Sequence, residues 1–264
     1  MIFDIINSKA ELKEARGSII IPKTFFENNK EYIVSDIQCS ALTRVTSIGF
    51  APDSQISTFK RGIFAGSSIE RLSIPKSIDT LEAGWCRDVR FLTKITISPE
   101  NKHFKYIDNK IIVGKSNPST DNFDTIFFAR RDITSITIPS FIEYILPYSF
   151  ENCQQLKTIN FDSNSKIKIL RSESFSKSGI ENFICPKSIE KIESFCFIEC
   201  QKLKTVNFQS GSKLNLIERF AFQYSSLESI FIPKNTRLTP NSLNRCYSLL
   251  KIQISPENKY FLDD

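Results

Sequence analysis

The apolar residues of this chain recur at intervals that suit neither a helix nor a strand. In "CPKSIEKIESFCFIECQKLKTVNF", residues 185–208, Ile189, Ile192, Phe197, Leu203, Val206 and Phe208 are separated by gaps of 3, 5, 6, 3 and 2. A helix keeps gaps of 3 and 4, and a strand keeps gaps of 2. The same steps return in "IPSFIEYILPYSFENCQQLKTINF" (138–161), "IPKSIDTLEAGWCRDVRFLTKITI" (74–97) and "IPKNTRLTPNSLNRCYSLLKIQI" (232–254). Between them lies a variant one residue shorter after its Phe, as in "KIKILRSESFSKSGIENFICP". Pro139, Pro186 and Pro233 are 47 residues apart, so two units form one pair.

A fixed period of this size marks stacked repeats, and each unit reads as one turn of a coil. Its ending, L-x-x-I-x-I, is a short period-two strand with two residues inward and their alternates outward. The I-x-x-I and Phe–Cys segments return along the other side at turn-like spacing. One turn cannot bury its apolar side alone, so neighbours must stack. Stacking places Phe64, Phe150, Phe175, Phe197 and Phe222 in an interior ladder with rungs about 5 Å apart. That arrangement accounts for 23 Phe residues in a chain with one Trp. Cys39 and Cys86 occupy the Phe slot of their units, while Cys153, Cys200 and Cys246 share a second inward slot.

The unit IPxxIxxIxxxxFxxCxxLxxIxF resembles the Treponema pallidum-type leucine-rich repeat of BspA-like surface proteins. The segment "SPENKHFKYIDNKIIVGKSNPSTDNFDTIFFARRDITSITIP" (98–139) resembles the extended, hairpin-containing unit that interrupts such arrays. In it, Phe104 to Val113 and Thr125 to Ala129 read as strands around the polar loop "GKSNPSTDNFD". The resemblance implies an α/β-type leucine-rich repeat solenoid, rich in β-structure. Short parallel strands form its concave sheet, with turns and short irregular or helical segments on the convex side and one inserted β-hairpin unit. A single solenoid is expected over 1–264: a degenerate N-terminal cap and first repeat (1–50), repeats (51–97), the inserted hairpin unit (98–132), repeats (133–254) and a truncated start of a further unit (255–264). Either the array continues in a longer parent, or the last rung is uncapped and exposes strand edge, in which case self-association through this C-terminal edge is expected.

Composition narrows the function classes. A hydrophobic content of 41% and a charged content of 24% are those of a folded protein. The net charge of +6 is spread out, without the dense basic clusters of a nucleic-acid binder. The start, "MIFDIINSKAELKEARG", makes a poor signal peptide because Asp4 interrupts a short apolar stretch. No apolar run approaches the roughly 20 residues of a membrane helix. The nearest N-glycosylation pattern, "NPS", carries the excluded Pro118. These features lean towards a cytoplasmic protein, whereas the resemblance implies the cell surface.

The chemistry-bearing residues form no constellation. The seven cysteines lack CxxC spacing. Same-slot thiols two rungs apart would be about 10 Å from each other, beyond the roughly 7 Å reach of a disulfide. They read as free buried thiols acting as small apolar residues. The single histidine, His103, has no nucleophile or carboxylate arranged around it, and 8 glycines are too few for a phosphate loop. No catalytic, cofactor-binding or metal-ligating residue is assigned.

Binding is expected on the outward strand residues, chiefly Thr158, Asn160, Asn182, Ile184, Thr205, Asn207, Ser229 and Phe231. Threonine suits any half-exposed strand, so the signal rests on Ile184 and Phe231, apolar residues two rungs apart on a polar floor. A second column is basic. The "IPK" turns set Lys23, Lys76, Lys187 and Lys234 along one edge, which either steers an acidic partner or solubilises the edge. Three readings follow. The first is a non-enzymatic, BspA-like surface adhesion or host-interaction protein that binds a host or matrix protein through the concave sheet. The second is an intracellular protein-interaction scaffold of the same fold. The third binds an acidic glycan or other acidic partner through Lys76, Lys187 and Lys234.

Overall fold

The computed structural model describes residues 1–261, so the last three residues of the expected 255–264 segment lie outside the described residues. The chain divides into two compact units, Met1–Asn122 and Phe123–Asp264. Strands and turns make up both, and no helix occurs among the described residues.

The Met1–Asn122 unit opens with a mixed sheet in the order Ile2–Ile6, Lys9–Glu14, Lys30–Ile37, Thr24–Glu27. Its two hairpins turn on Asn7–Ser8 and Asn28–Asn29, all four in the left-handed region that matches strand twist in two-residue turns. Stacked main strands follow: Arg16–Ile21, Arg44–Phe50, Arg71–Ile74 and Lys94–Ile97 pair in parallel. Thr58–Phe59 and Thr80–Leu81 form a second parallel pair. The segment expected as one strand over Phe104–Val113 is instead an antiparallel hairpin, Phe104–Ile107 with Ile111–Gly114. It breaks at Asp108 and Asn109, two short polar residues that tolerate left-handed φ.

Cys39 also departs from expectation. It is exposed, and Ala41 and Leu42 fill the interior beside it. It sits in an irregular turn containing left-handed Ser40, outside the rung geometry. Cys86 is buried as expected, but the aromatic packing of its rung comes from Trp85. Phe64 meets Phe59 and Trp85 edge-on, at 5.4 and 5.9 Å.

From Phe123 the rungs are regular. Ser135–Ile138 pairs with Thr158–Phe161, and Asn182–Cys185, Thr205–Phe208, Ser229–Ile232 and Lys251–Ile254 form a four-stranded parallel ladder. A second parallel ladder runs Thr125–Ala129, Tyr144–Ile145, Ile169–Leu170, Lys191–Ile192, Leu216–Ile217, Arg237–Leu238. Thr125–Ala129, expected in the inserted unit, is also a strand of this ladder. Phe150, Phe175, Phe197 and Phe222 stack face to face in order, with centroids 5.1, 5.3 and 5.3 Å apart. Parallel stacking beyond burial contributes about 0.5–1.5 kcal/mol per pair.

The corner around each ladder residue explains why no helix forms. The residues two before and two after it have positive φ: Tyr148 and Asn152 flank Phe150, Glu173 and Lys177 flank Phe175, Phe195 and Glu199 flank Phe197. A left-handed residue at every fourth position cannot propagate a right-handed helix. The geometry turns corner N–H groups to the next rung: Phe150 N–H donates to Ser174 O at 2.8 Å and Asn152 N–H to Ser176 O at 2.9 Å. Phe175, Lys177, Phe197 and Glu199 repeat the pattern one rung on. The helical segments expected on the convex side are therefore turns whose hydrogen bonds leave the rung.

One further inter-rung contact explains the cysteines. Ser178 Oγ lies 3.5 Å from Cys200 Sγ, and Ser225 Oγ lies 3.5 Å from Cys246 Sγ. Each thiol in turn donates to a carbonyl, Cys200 to Phe175 O at 3.1 Å and Cys246 to Phe222 O at 3.0 Å. Ser67 takes the equivalent slot in its unit, but the facing repeat position is Val89, and the buried Ser67 hydroxyl has no hydrogen-bond partner. Cysteine is thus the small apolar residue that also satisfies a buried hydroxyl.

Candidate partner-binding face

The main strands from Ser135 to Ile254 present their alternate residues outward because their Ile, Val and Phe residues turn into the core. Ile136, Ile159, Phe183, Val206 and Ile230 are buried. Thr158, Asn160, Asn182 and Asn207 are exposed, and Thr205 and Ser229 are half-buried. The register sets Asn182 opposite Thr205, Ile184 opposite Asn207, Thr205 opposite Ser229 and Phe231 opposite Gln253. The structure therefore places all eight expected residues on one strand face, although the ladder is interrupted between Thr158–Phe161 and Asn182–Cys185.

The polar part of this face is already ordered. Thr205 Oγ1 donates to Asn182 Oδ1 at 2.8 Å, and Asn207 Nδ2 donates to Thr205 Oγ1 at 3.4 Å. Above it, Ile184 is 50% and Phe231 45% exposed. Neighbouring side chains do not cover them. At the end of the same ladder, Ile252 and Ile254 are also exposed on the outer strand Lys251–Ile254, and Leu250 is exposed just before it.

The lysine edge is different from its appearance in the sequence. Lys76 pairs with Glu100 at 3.1 Å, Lys234 with Glu257 at 3.5 Å and Lys23 with Asp53 at 2.9 Å. In each case the acid comes from the turn one rung further on, so most of the column is neutralised locally. Lys187 is exposed, and the following turn offers Gln209, whose Oε1 accepts the Lys187 backbone N–H at 3.1 Å.

The repeated "SPEN" has a role that sequence reasoning missed. Asn101 Nδ2 donates to Pro75 O and Ile78 O, both at 2.9 Å, while its Oδ1 accepts from His103 N and Phe104 N. Asn258 repeats the clamp on Pro233 O and Thr236 O, accepting from Tyr260 N. The recurrence of the same four letters after two different main strands was the available signal.

Burial favours the neutral form of the core thiols Cys185, Cys196 and Cys200. Burial pushes Cys200 up to about 11 despite the opposing hydrogen bond from Ser178. Burial likewise raises Cys196 well above the ordinary thiol value, and raises Cys185. Among the described residues, no group of three or more His, Cys, Asp or Glu is placed to hold a metal ion.

With this geometry in hand, comparisons with known proteins bear on the fold. The sequence profile of the BspA type leucine rich repeat region matches residues 18–117 and 121–261. A leucine-rich repeat protein from Eubacterium ventriosum is similar in structure, with a TM-score of 0.67 and 21% identity over 83% of this chain; the match spans 65% of that chain's own length. A leucine rich cell surface protein from Faecalibacterium prausnitzii gives 0.52 at 14% identity, covering 96% of this chain and 92% of that one. The pneumococcal vaccine antigen PcpA gives 0.55 at 12% identity, covering 97% and 91%. Comparison with curated proteins gives no match.

Proposed function

We propose that this chain, which belongs to the BspA-type leucine-rich repeat family, is a non-enzymatic protein-binding module that works through its main-strand face. One observation carries the reading: two half-exposed apolar side chains, Ile184 and Phe231, stand on a hydrogen-bonded polar floor. Apolar anchors ringed by polar neighbours are what interface hot spots use. The setting we favour is the cell surface, with a host or matrix protein as partner. It draws support from the cell surface protein and the vaccine antigen that share the fold.

A reducing intracellular setting with the same face is the alternative, and the seven free thiols, Cys39 exposed among them, favour it. Antibody accessibility on intact cells separates the two. The paired lysines leave little charge for the glycan reading.

The face itself is tested with Ile184→Asp/Phe231→Asp, assayed on an array of immobilised matrix proteins. Binding should fall at least about thirtyfold, the loss of one hot-spot residue. Undiminished binding by a folded double variant discards the assignment.

A further inference from the structure

We propose that the main-strand face of the Met1–Asn122 unit binds an extended acidic segment of a partner protein, with a carboxylate held by Arg71 and Lys94. This surface adds a second contact of different chemistry to the protein-binding reading, on which it rests, and shares no residue with Ile184 and Phe231.

The two cations are the starting point because the repeat does not ask for them. Arg71 and Lys94 are the first outward residues of Arg71–Ile74 and Lys94–Ile97, and the register sets them directly opposite each other. Alternation turns Leu72 and Ile95 into the core and leaves both cations exposed. The same place in the strands from Phe123 onward is taken by the uncharged Ser135, Thr158, Asn182, Thr205 and Ser229, with a cation again only at Lys251. Adjacent strands lie about 4.8 Å apart, where like charges facing each other are destabilising. Among the described residues neither Arg71 nor Lys94 has an acidic side chain within ion-pair distance, whereas Arg16, further along the same sheet, is taken by Glu14 at 2.7 Å. A carboxylate placed between the two relieves the repulsion, because guanidinium offers it a bidentate fork and ammonium a point charge.

The next residues along the same two strands say what carries the carboxylate. Ser73 and Thr96 follow on the same side, about 6.8 Å further on, with their hydroxyls 2.7 Å apart. They also line a cleft of about 400 Å³ whose walls include Phe50, Pro52, Pro75 and Ile97. That volume is within the range of ligand pockets. Lys76 and Glu100, also in the lining, neutralise each other at 3.1 Å, so the unspent charge of this face sits at Arg71 and Lys94. The face therefore runs from cationic, through hydroxyls, to an uncharged cleft with apolar walls. An extended peptide fits that order, because its own alternate residues lie on one side at the same spacing. Its acid meets the cation pair, and an apolar side chain two or four residues away enters the cleft. A sulfated glycan satisfies the cations but brings further charge to a cleft that has none to pair with it.

The experiment titrates short Gly/Ser peptides, multimerised on streptavidin, over the immobilised full chain. One set carries a glutamate with a leucine two or four residues away; control sets replace the glutamate by lysine or the leucine by serine. The glutamate–leucine peptides should bind, with an affinity that falls severalfold as salt rises from about 0.05 to about 0.5 M. Loss of the leucine should weaken them severalfold, and the lysine peptides should not bind. Arg71→Ala/Lys94→Ala should weaken binding about tenfold while its thermal midpoint holds or rises, since a like-charge contact has gone. Arg71→Glu/Lys94→Glu should exchange the preference and take the lysine peptides instead. Absence of binding, equal binding by the double alanine variant, or retention of heparin but of no peptide overturns the site. So does a double alanine variant that melts earlier, since the cations are then structural. A peptide lost only in Ile184→Asp/Phe231→Asp overturns this site and leaves the other face standing, whereas matrix-protein binding that survives in that variant overturns the other face alone.

Discussion

The two units solve the same corner differently. Each rung requires left-handed residues on both sides of its inward slot. In the Met1–Asn122 unit three of these four positions are glycine, Gly62, Gly66 and Gly84, with Asp88 the fourth. In the unit beginning at Phe123 there are ten, from Tyr148 to Arg245, and none is glycine. A non-glycine residue in this region costs about 1–2 kcal/mol, whereas glycine carries only an entropic penalty. The second unit offsets the strain with contacts between corners. Tyr148 Oη donates to Glu173 at 2.8 Å, Phe195 stacks on Phe220 at 5.3 Å, and the Arg245 guanidinium lies over the Tyr224 ring at 5.2 Å. Regular repetition makes those contacts available, because like positions meet only when successive rungs are alike. Where Trp85 and Cys86 interrupt the Phe column, the rings pack edge-on and the corners revert to glycine.

The largest expected effect tests how tightly the regular rungs are stacked. A Cβ at Gly179 would lie 2.1 Å from Gln154 O, a backbone atom that cannot step aside. Gly179→Ala should therefore destabilise the chain by about 5 kcal/mol or more in denaturant titration, among the severe single substitutions. Next, Phe175→Ala removes a ring stacked on both sides and should cost about 4–5 kcal/mol. Phe64→Ala, with two edge-on ring neighbours, should cost about 3–5 kcal/mol; a loss well below that of Phe175→Ala would show that stacked rings contribute more than edge-on ones.

Smaller effects sharpen the contrast between corners. Lys177→Gly should stabilise, and Gly66→Ala should destabilise, each by about 1 kcal/mol in thermal melts. If Lys177→Gly proves destabilising, the Lys177 side chain does more for its corner than relief of φ strain returns. Smallest is the hydroxyl pair. Ser178→Ala strips a partner from Cys200 and should cost about 1 kcal/mol, while Ser67→Ala removes an unsatisfied hydroxyl and should be neutral or mildly stabilising.

Much of the site was legible before any coordinates. Ile184 and Phe231 could be placed outward because strand side chains alternate strictly and the inward partners Phe183 and Ile230 are unmistakably core residues. The neutralisation of the lysine edge was not legible, for a related reason. Lys76 and Glu100 are 24 positions apart, and only the stacking of turns brings them to 3.1 Å. The hairpin at Asp108–Asn109 was overlooked although the short polar pair between two apolar stretches was itself a turn signal.

By itself the sequence determined the period of the coil, the columns that turn inward and the strand residues that turn outward. These follow from side-chain alternation and from apolar steps that each rung carries within itself. Tertiary structure alone decided which non-glycine corners accept left-handed backbone, which hydroxyl meets which thiol, which lysines are neutralised and where the chain divides into compact units. Those outcomes depend on distances between residues a full rung or more apart, and local propensity does not encode such distances.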